Sequence, residues 1–129
     1  MKLAVPEDGS AHVERLWEQW SAEECEVVAP ALLWYEVTSV LRNRAHRGAL
    51  EIDEAREALD TLLVLPVAIV SPPDLHQTAW ELATVLDQPA AYDAHYLAVA
   101  LTLGCPFWTA DRSLYEAAMR VVPEIHLVG

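Results

Sequence analysis

The chain has 129 residues, 53% of them hydrophobic, with 20 acidic against 8 basic residues and a formal net charge of −12. That length suits a single domain over 1–129 with a real core. The acidity argues against a dedicated nucleic-acid-binding module, which would present a basic face. It leaves room for an enzyme that meets nucleic acid through metal ions, because the ions supply the positive charge. Cys25 and Cys105 are too few for a disulfide scaffold and adjoin apolar runs, so both are expected as buried thiols in a reducing cytosol. No apolar run reaches the ~18 residues of a membrane span, and Met1–Pro6 is too short for a secretory leader. The expectation is a soluble, cytoplasmic protein.

Residues 9–22 are amphipathic, with Val13, Leu16, Trp17 and Trp20 at helical spacing and Ser10 as the expected N-cap. Glu26 to Ala29 reads as a short apolar strand. Pro30 opens a helix that runs to Arg47 and stops at Gly48. Glu51 to Leu65 is expected as a helix with Ile52, Ala55, Leu59, Leu62 and Leu63 inward. Val67 to Val70 is a strand closed by Ser71-Pro72-Pro73, followed by a helix from Asp74 to Leu86 and a turn at Asp87-Gln88-Pro89. A helix from Tyr92 to Leu103 ends at Gly104. Pro106 to Thr109 is a strand, Ser113 to Arg120 a helix, and Ile125 to Val128 the last strand. Short apolar strands alternating with helices predict a three-layer α/β fold on a parallel sheet, whose ligands bind beyond the carboxyl ends of the strands.

Three carboxylates interrupt apolar patterns. At about 100° per residue, Leu32 and Val40 flank Glu36 at roughly ±40°, which predicts Glu36 at the centre of its helix's buried stripe. Asp93 lies between the directions of Leu97 and Ala100, and Asp111 directly follows the strand ending at Thr109. Burying a carboxylate costs several kcal/mol without compensation, and few cations are near in sequence, so a shared metal ion is the expected partner. Oxygen donors without Cys or His favour Mg²⁺ or Mn²⁺. A structural reading competes for Asp111 as a helix N-cap, but Ser113 and Glu116 form an S-x-x-E capping box that makes this unnecessary. Arg42, Arg44 and Arg47 cluster with His46 where a helix C-terminus needs positive charge. Asn43 and Arg47 also project within ~20° of Glu36, which suits phosphate contact. His12, His46, His76, His95 and His126 show no H-x-x-x-H pairing and read as surface or packing residues.

The segments VVAPALLWYEVTSVLRN, AYDAHYLAVALTLGCPFWTADRSL and IHLVG together resemble the PIN-domain ribonucleases, especially the VapC-type toxins of toxin–antitoxin pairs. The resemblance spans essentially the whole chain. It implies that Glu36, Asp93 and Asp111 match the family's second, third and fourth acidic positions, and that Thr109 matches the hydroxyl residue accompanying the last acid. It further implies RNA cleavage with Mg²⁺ or Mn²⁺, a homodimer, and inhibition by a cognate antitoxin. There is one departure. The family opens with a central strand ending in an Asp, whereas Met1 to Ser10 resembles the end of the following helix and its loop. The first strand and first acid are therefore expected to be absent, through a misplaced start or a true truncation, and Glu7 and Asp8 fall on the loop side. The competing reading is a catalytically weak or inactive module that binds an antitoxin in an apolar groove. A phospho-accepting receiver is disfavoured because Lys2 is the only lysine, and a phosphatase because no D-x-D follows an opening strand.

Overall fold

Five short parallel strands form one sheet in the order β3-β2-β1-β4-β5 in the computed structural model, which describes residues 2–4, 18–109 and 111–127. The strands are β1 (Lys2–Ala4), β2 (Glu26–Ala29), β3 (Val67–Ile69), β4 (Phe107–Thr109) and β5 (Ile125–Leu127). The helices are α1 (Leu32–His46), α2 (Ile52–Leu63), α3 (Leu75–Val85), α4 (Tyr92–Leu103) and α5 (Arg112–Ala118). This is the parallel α/β class expected from the sequence. Of the first predicted helix, residues 18–22 are helical, and the rest, Ser10 included, lies outside the described residues.

The centre of the sheet departs from expectation. Lys2–Ala4 occupies the central position that the sequence comparison left empty, pairing along its length with β2 (Lys2↔Glu26, Leu3↔Val27, Ala4↔Val28). Toward β4 its register is the single pair Ala4↔Phe107. The physical reason is that an interior gap would strand the facing backbone groups of β2 and β4, and each unsatisfied buried group costs about 1–3 kcal/mol. An extended stretch at the start of the chain relieves that cost. Glu7 and Asp8, which follow β1, lie outside the described residues.

The chain packs as two compact units, Met1–Pro30 with Val67–Gly129, and Ala31–Pro66. In the first, Val27, Val28 and Ala29 of β2 and Phe107 of β4 are buried. α4 packs on α3, β1 and β4, and α5 packs on β4 and β5. α4 is buried around most of its circumference, through Ala94, Tyr96, Leu97, Ala98, Val99 and Ala100. Gly104 ends it in the left-handed region at φ +64°, where the Cys105 N–H donates to the Ala100 carbonyl at 3.0 Å. Cys105 is buried as expected, but Cys25 is only half-buried.

The second unit is the pair α1 and α2, which pack on each other. Its buried side chains are Leu33 and Leu41 of α1 and Ala55 of α2. Of the residues expected inward on α2, Ile52 is 63% and Leu63 47% exposed. Both lie at helix ends, beyond the narrow stripe that a single neighbouring helix covers. Gly48, at φ +77°, follows the α1 C-terminus as the sequence suggests.

Candidate functional site

The strand order reverses at the centre of the sheet, since β2 and β3 lie on one side of β1 and β4 and β5 on the other. The crevice at the carboxyl ends of β1 and β4 is therefore the topological switch point. Residues 104–106 join the end of α4 to the start of β4, so α4 runs back along the sheet and its first turn lies toward the strands' carboxyl ends. That first turn carries Asp93, which is half-buried. Asp111 follows β4 at the same edge. These two candidate acids, separated in sequence by a helix and a strand, are thus brought to one edge by topology.

The local geometry of Asp111 is specific. Its extended backbone (φ −85°, ψ 105°) makes it the N-cap of α5, and its Oδ1 accepts from the Leu114 N–H at 3.1 Å. This corrects the expected capping box: Ser113 already lies inside the helix, so its hydroxyl is not at the capping position, and the carboxylate two residues earlier takes that role. The cap bond engages one carboxylate oxygen, and the side chain is otherwise exposed. Thr109 is 5% exposed, and its hydroxyl accepts from the Asp111 N–H at 3.0 Å. Thr109 is therefore a buried residue that acts on the Asp111 backbone.

Glu36, Asn43 and Arg47 belong to the second unit. Glu36 is half-buried, not central to a buried stripe: Leu33 and Leu41 are buried while Val40 is 38% exposed. The buried direction runs through Val37, about 100° from Glu36, so the carboxylate sits at the stripe's margin. Asn43 and Arg47 are exposed, and Arg47 caps α1, its N–H donating to the Asn43 carbonyl at 3.0 Å. Among the described residues no group of three or more His, Cys, Asp or Glu side chains is placed to hold a metal ion. The acids at the sheet edge still suit Mg²⁺, which is commonly bound through one or two carboxylates and keeps several waters.

Sequence spacing missed a pair of histidines. His76, in the first turn of α3, and His95, in α4, approach with Nδ1 of His76 2.9 Å from Nε2 of His95. Nδ1 of His95 lies 2.6 Å from the Ala91 carbonyl oxygen. Nineteen residues separate the two rings, so no local motif could have announced them.

The match to known proteins agrees with this architecture. The PIN domain family model matches residues 3–119, and so includes both units; the chain belongs to the PIN-domain family. It is 35% identical over 94 residues to a VapC ribonuclease of Mycobacterium bovis, covering 73% of this chain and 72% of that one. It is 34% identical over 116 residues to ribonuclease VapC3 of Pyrobaculum aerophilum, covering 88% and 85%. Among solved structures it is similar to PAE2754 from Pyrobaculum aerophilum, with a TM-score of 0.63 and 24% identity over 90% of this chain and 84% of that one. VapBC-1 from nontypeable Haemophilus influenzae matches with a TM-score of 0.65 and 12% identity, covering 98% of each chain. No helix among the described residues is long and apolar enough to cross a membrane.

Proposed function

We propose that this chain is a Mg²⁺- or Mn²⁺-dependent endoribonuclease, the toxin of a VapBC-type toxin–antitoxin pair, acting in the cytoplasm as a homodimer held in check by a cognate antitoxin. What supports this reading is that the first turn of α4, which carries Asp93, and the residue range after β4, which carries Asp111, both lie toward the carboxyl edge of the sheet, and that the Thr109 hydroxyl accepts from the Asp111 N–H. The ribonuclease names of relatives about one-third identical support the reaction class. Exposed Trp80, Val85 and Tyr92, at 71%, 67% and 63%, supply apolar surface on α3, its C-terminal turn and the start of α4 that suits a second subunit.

In this reading Asp93 and Asp111 hold the ion, and Glu36 ligates it or orients the attacking water. A bound divalent ion supplies a water made nucleophilic near neutral pH and charge stabilisation on the scissile phosphate. Thr109 holds the Asp111 amide, and Asn43 and Arg47 contact RNA phosphates from α1. An inactive, antitoxin-binding module is the second reading, with exposed apolar side chains such as Trp80 and Tyr92 as surface for a partner segment.

The deciding experiment measures Mn²⁺-dependent cleavage of a mixed RNA pool by the wild type, Asp93→Asn and Asp111→Asn. The nuclease reading expects cleavage that EDTA abolishes and that each variant loses by at least about 100-fold, as for other charge-stabilising groups at reacting centres. Equal cleavage by wild type and Asp93→Asn overturns the assignment. No cleavage by any form, with an antitoxin complex still formed, favours the second reading.

A further inference from the structure

The histidine pair is tied to the edge that carries Asp93. Ala91 is the N-cap residue of α4 and makes no side-chain cap bond. Its carbonyl accepts twice from one residue, from the His95 backbone N–H at 3.2 Å and from Nδ1 of His95 at 2.6 Å. A carbonyl only accepts, so Nδ1 of His95 carries a proton. With both rings neutral, Nε2 of His95 is then an acceptor, and Nδ1 of His76, 2.9 Å away, donates to it. The chain of bonds runs from the first turn of α3, through His95, to the Ala91 carbonyl, and Asp93 lies inside the backbone loop that it closes.

We propose that His76 and His95 are positioning residues: they clamp the first turn of α4 and so fix the direction from which Asp93 presents its carboxylate to a divalent ion. The inference rests on the metal-dependent reading given above. The relay ties the first turn of α4 to a second helix through the Ala91 carbonyl. Groups that orient a metal-binding side chain typically change metal affinity by about 10–100-fold when lost. His76 is exposed, so replacing it removes the relay without opening a core cavity.

The test compares His76→Leu, which removes the donor, with His76→Asn, whose amide sits at the same distance along the side chain as Nδ1. Two quantities are read on the purified full chain: the Mn²⁺ dissociation constant by calorimetry, and the metal-free exchange rates of the His95 and Tyr96 amides. The expected result for His76→Leu is Mn²⁺ binding about tenfold weaker and faster exchange at both amides, with His76→Asn within about threefold of the wild type. Leu and Asn variants that behave alike overturn the proposal. So does faster exchange with unchanged Mn²⁺ affinity, which would leave a clamp that positions nothing. A wild type that binds no Mn²⁺ removes the metal reading itself, and the exchange rates then judge the clamp alone: rates unmoved by His76→Leu overturn it.

Discussion

Asp111 is placed to do two jobs that one pair of substitutions separates. Its carboxylate caps α5 through the Leu114 N–H at 3.1 Å, and it is also the candidate ligand beyond β4. Asn is about as good an N-cap as Asp, so Asp111→Asn keeps an amide oxygen where Oδ1 now accepts and removes only the charge. Asp111→Ala removes both. The cap is worth about 1 kcal/mol, which for a chain of this size is a fall in Tm of roughly 3–6 °C. A ligand present at 100 times its dissociation constant adds about 2.7 kcal/mol to the folded state. Metal-free thermal unfolding should therefore leave Asp111→Asn close to the wild type and lower Asp111→Ala by that cap increment. With millimolar Mn²⁺ the wild type should gain stability and both variants should lose most of the gain. An Asp111→Asn protein that keeps the full Mn²⁺ shift would refute the ligand role and leave Asp111 as a cap alone.

Thr109→Val preserves shape but leaves the Asp111 N–H without its 3.0 Å acceptor, and urea unfolding should show a loss of about 1–3 kcal/mol that Thr109→Ser largely avoids. Gly104→Ala should cost about 1–2 kcal/mol from the left-handed backbone alone, because a Cβ there meets nothing within 4 Å; Gly104→Asn should recover part of it, and equal melting temperatures for all three would contradict the C-cap account. Arg47→Ala together with Asn43→Ala should weaken RNA binding and flatten its salt dependence with little change in Tm, since both side chains are exposed; unchanged binding in a filter assay would remove them from the RNA contact.

The parts legible in the sequence are those fixed by local chemistry. Gly48 and Gly104 mark helix ends because both adopt positive φ, and the α4 boundaries follow from an apolar run bounded by Ala91 and Gly104. What sequence periodicity misjudged depends on neighbours. Apolar residues on both sides centre the α1 stripe on Glu36 in sequence, but Val40 is 38% exposed and the packed direction is set by Leu33 and Leu41. The capping box is legible as a pattern but sits two residues too deep, because the helix begins at Arg112 and Asp111 is its N-cap. The His76–His95 contact is a product of helix packing, with no signal in either helix alone. The filling of the central strand position by Lys2–Ala4 depends on unpaired backbone on both sides, which no residue pattern encodes.

The structure also changes the reason for expecting a metal. From sequence, an acid in an apolar setting with few nearby cations calls for one. In the folded chain, Asp93 occupies the first turn of α4, where the helix dipole favours negative charge. Asp111 accepts a backbone N–H at the start of α5, and its own amide is held by Thr109. Solvent exposure at Asp111 and the helix dipole at Asp93 therefore reduce the burial cost that the sequence pattern implies. On the proposed reading, the edge binds a cation without requiring it for folding. It follows that the metal-free protein should be folded, with metal adding binding free energy to an existing structure in the manner of linkage, not creating the structure as in small zinc domains.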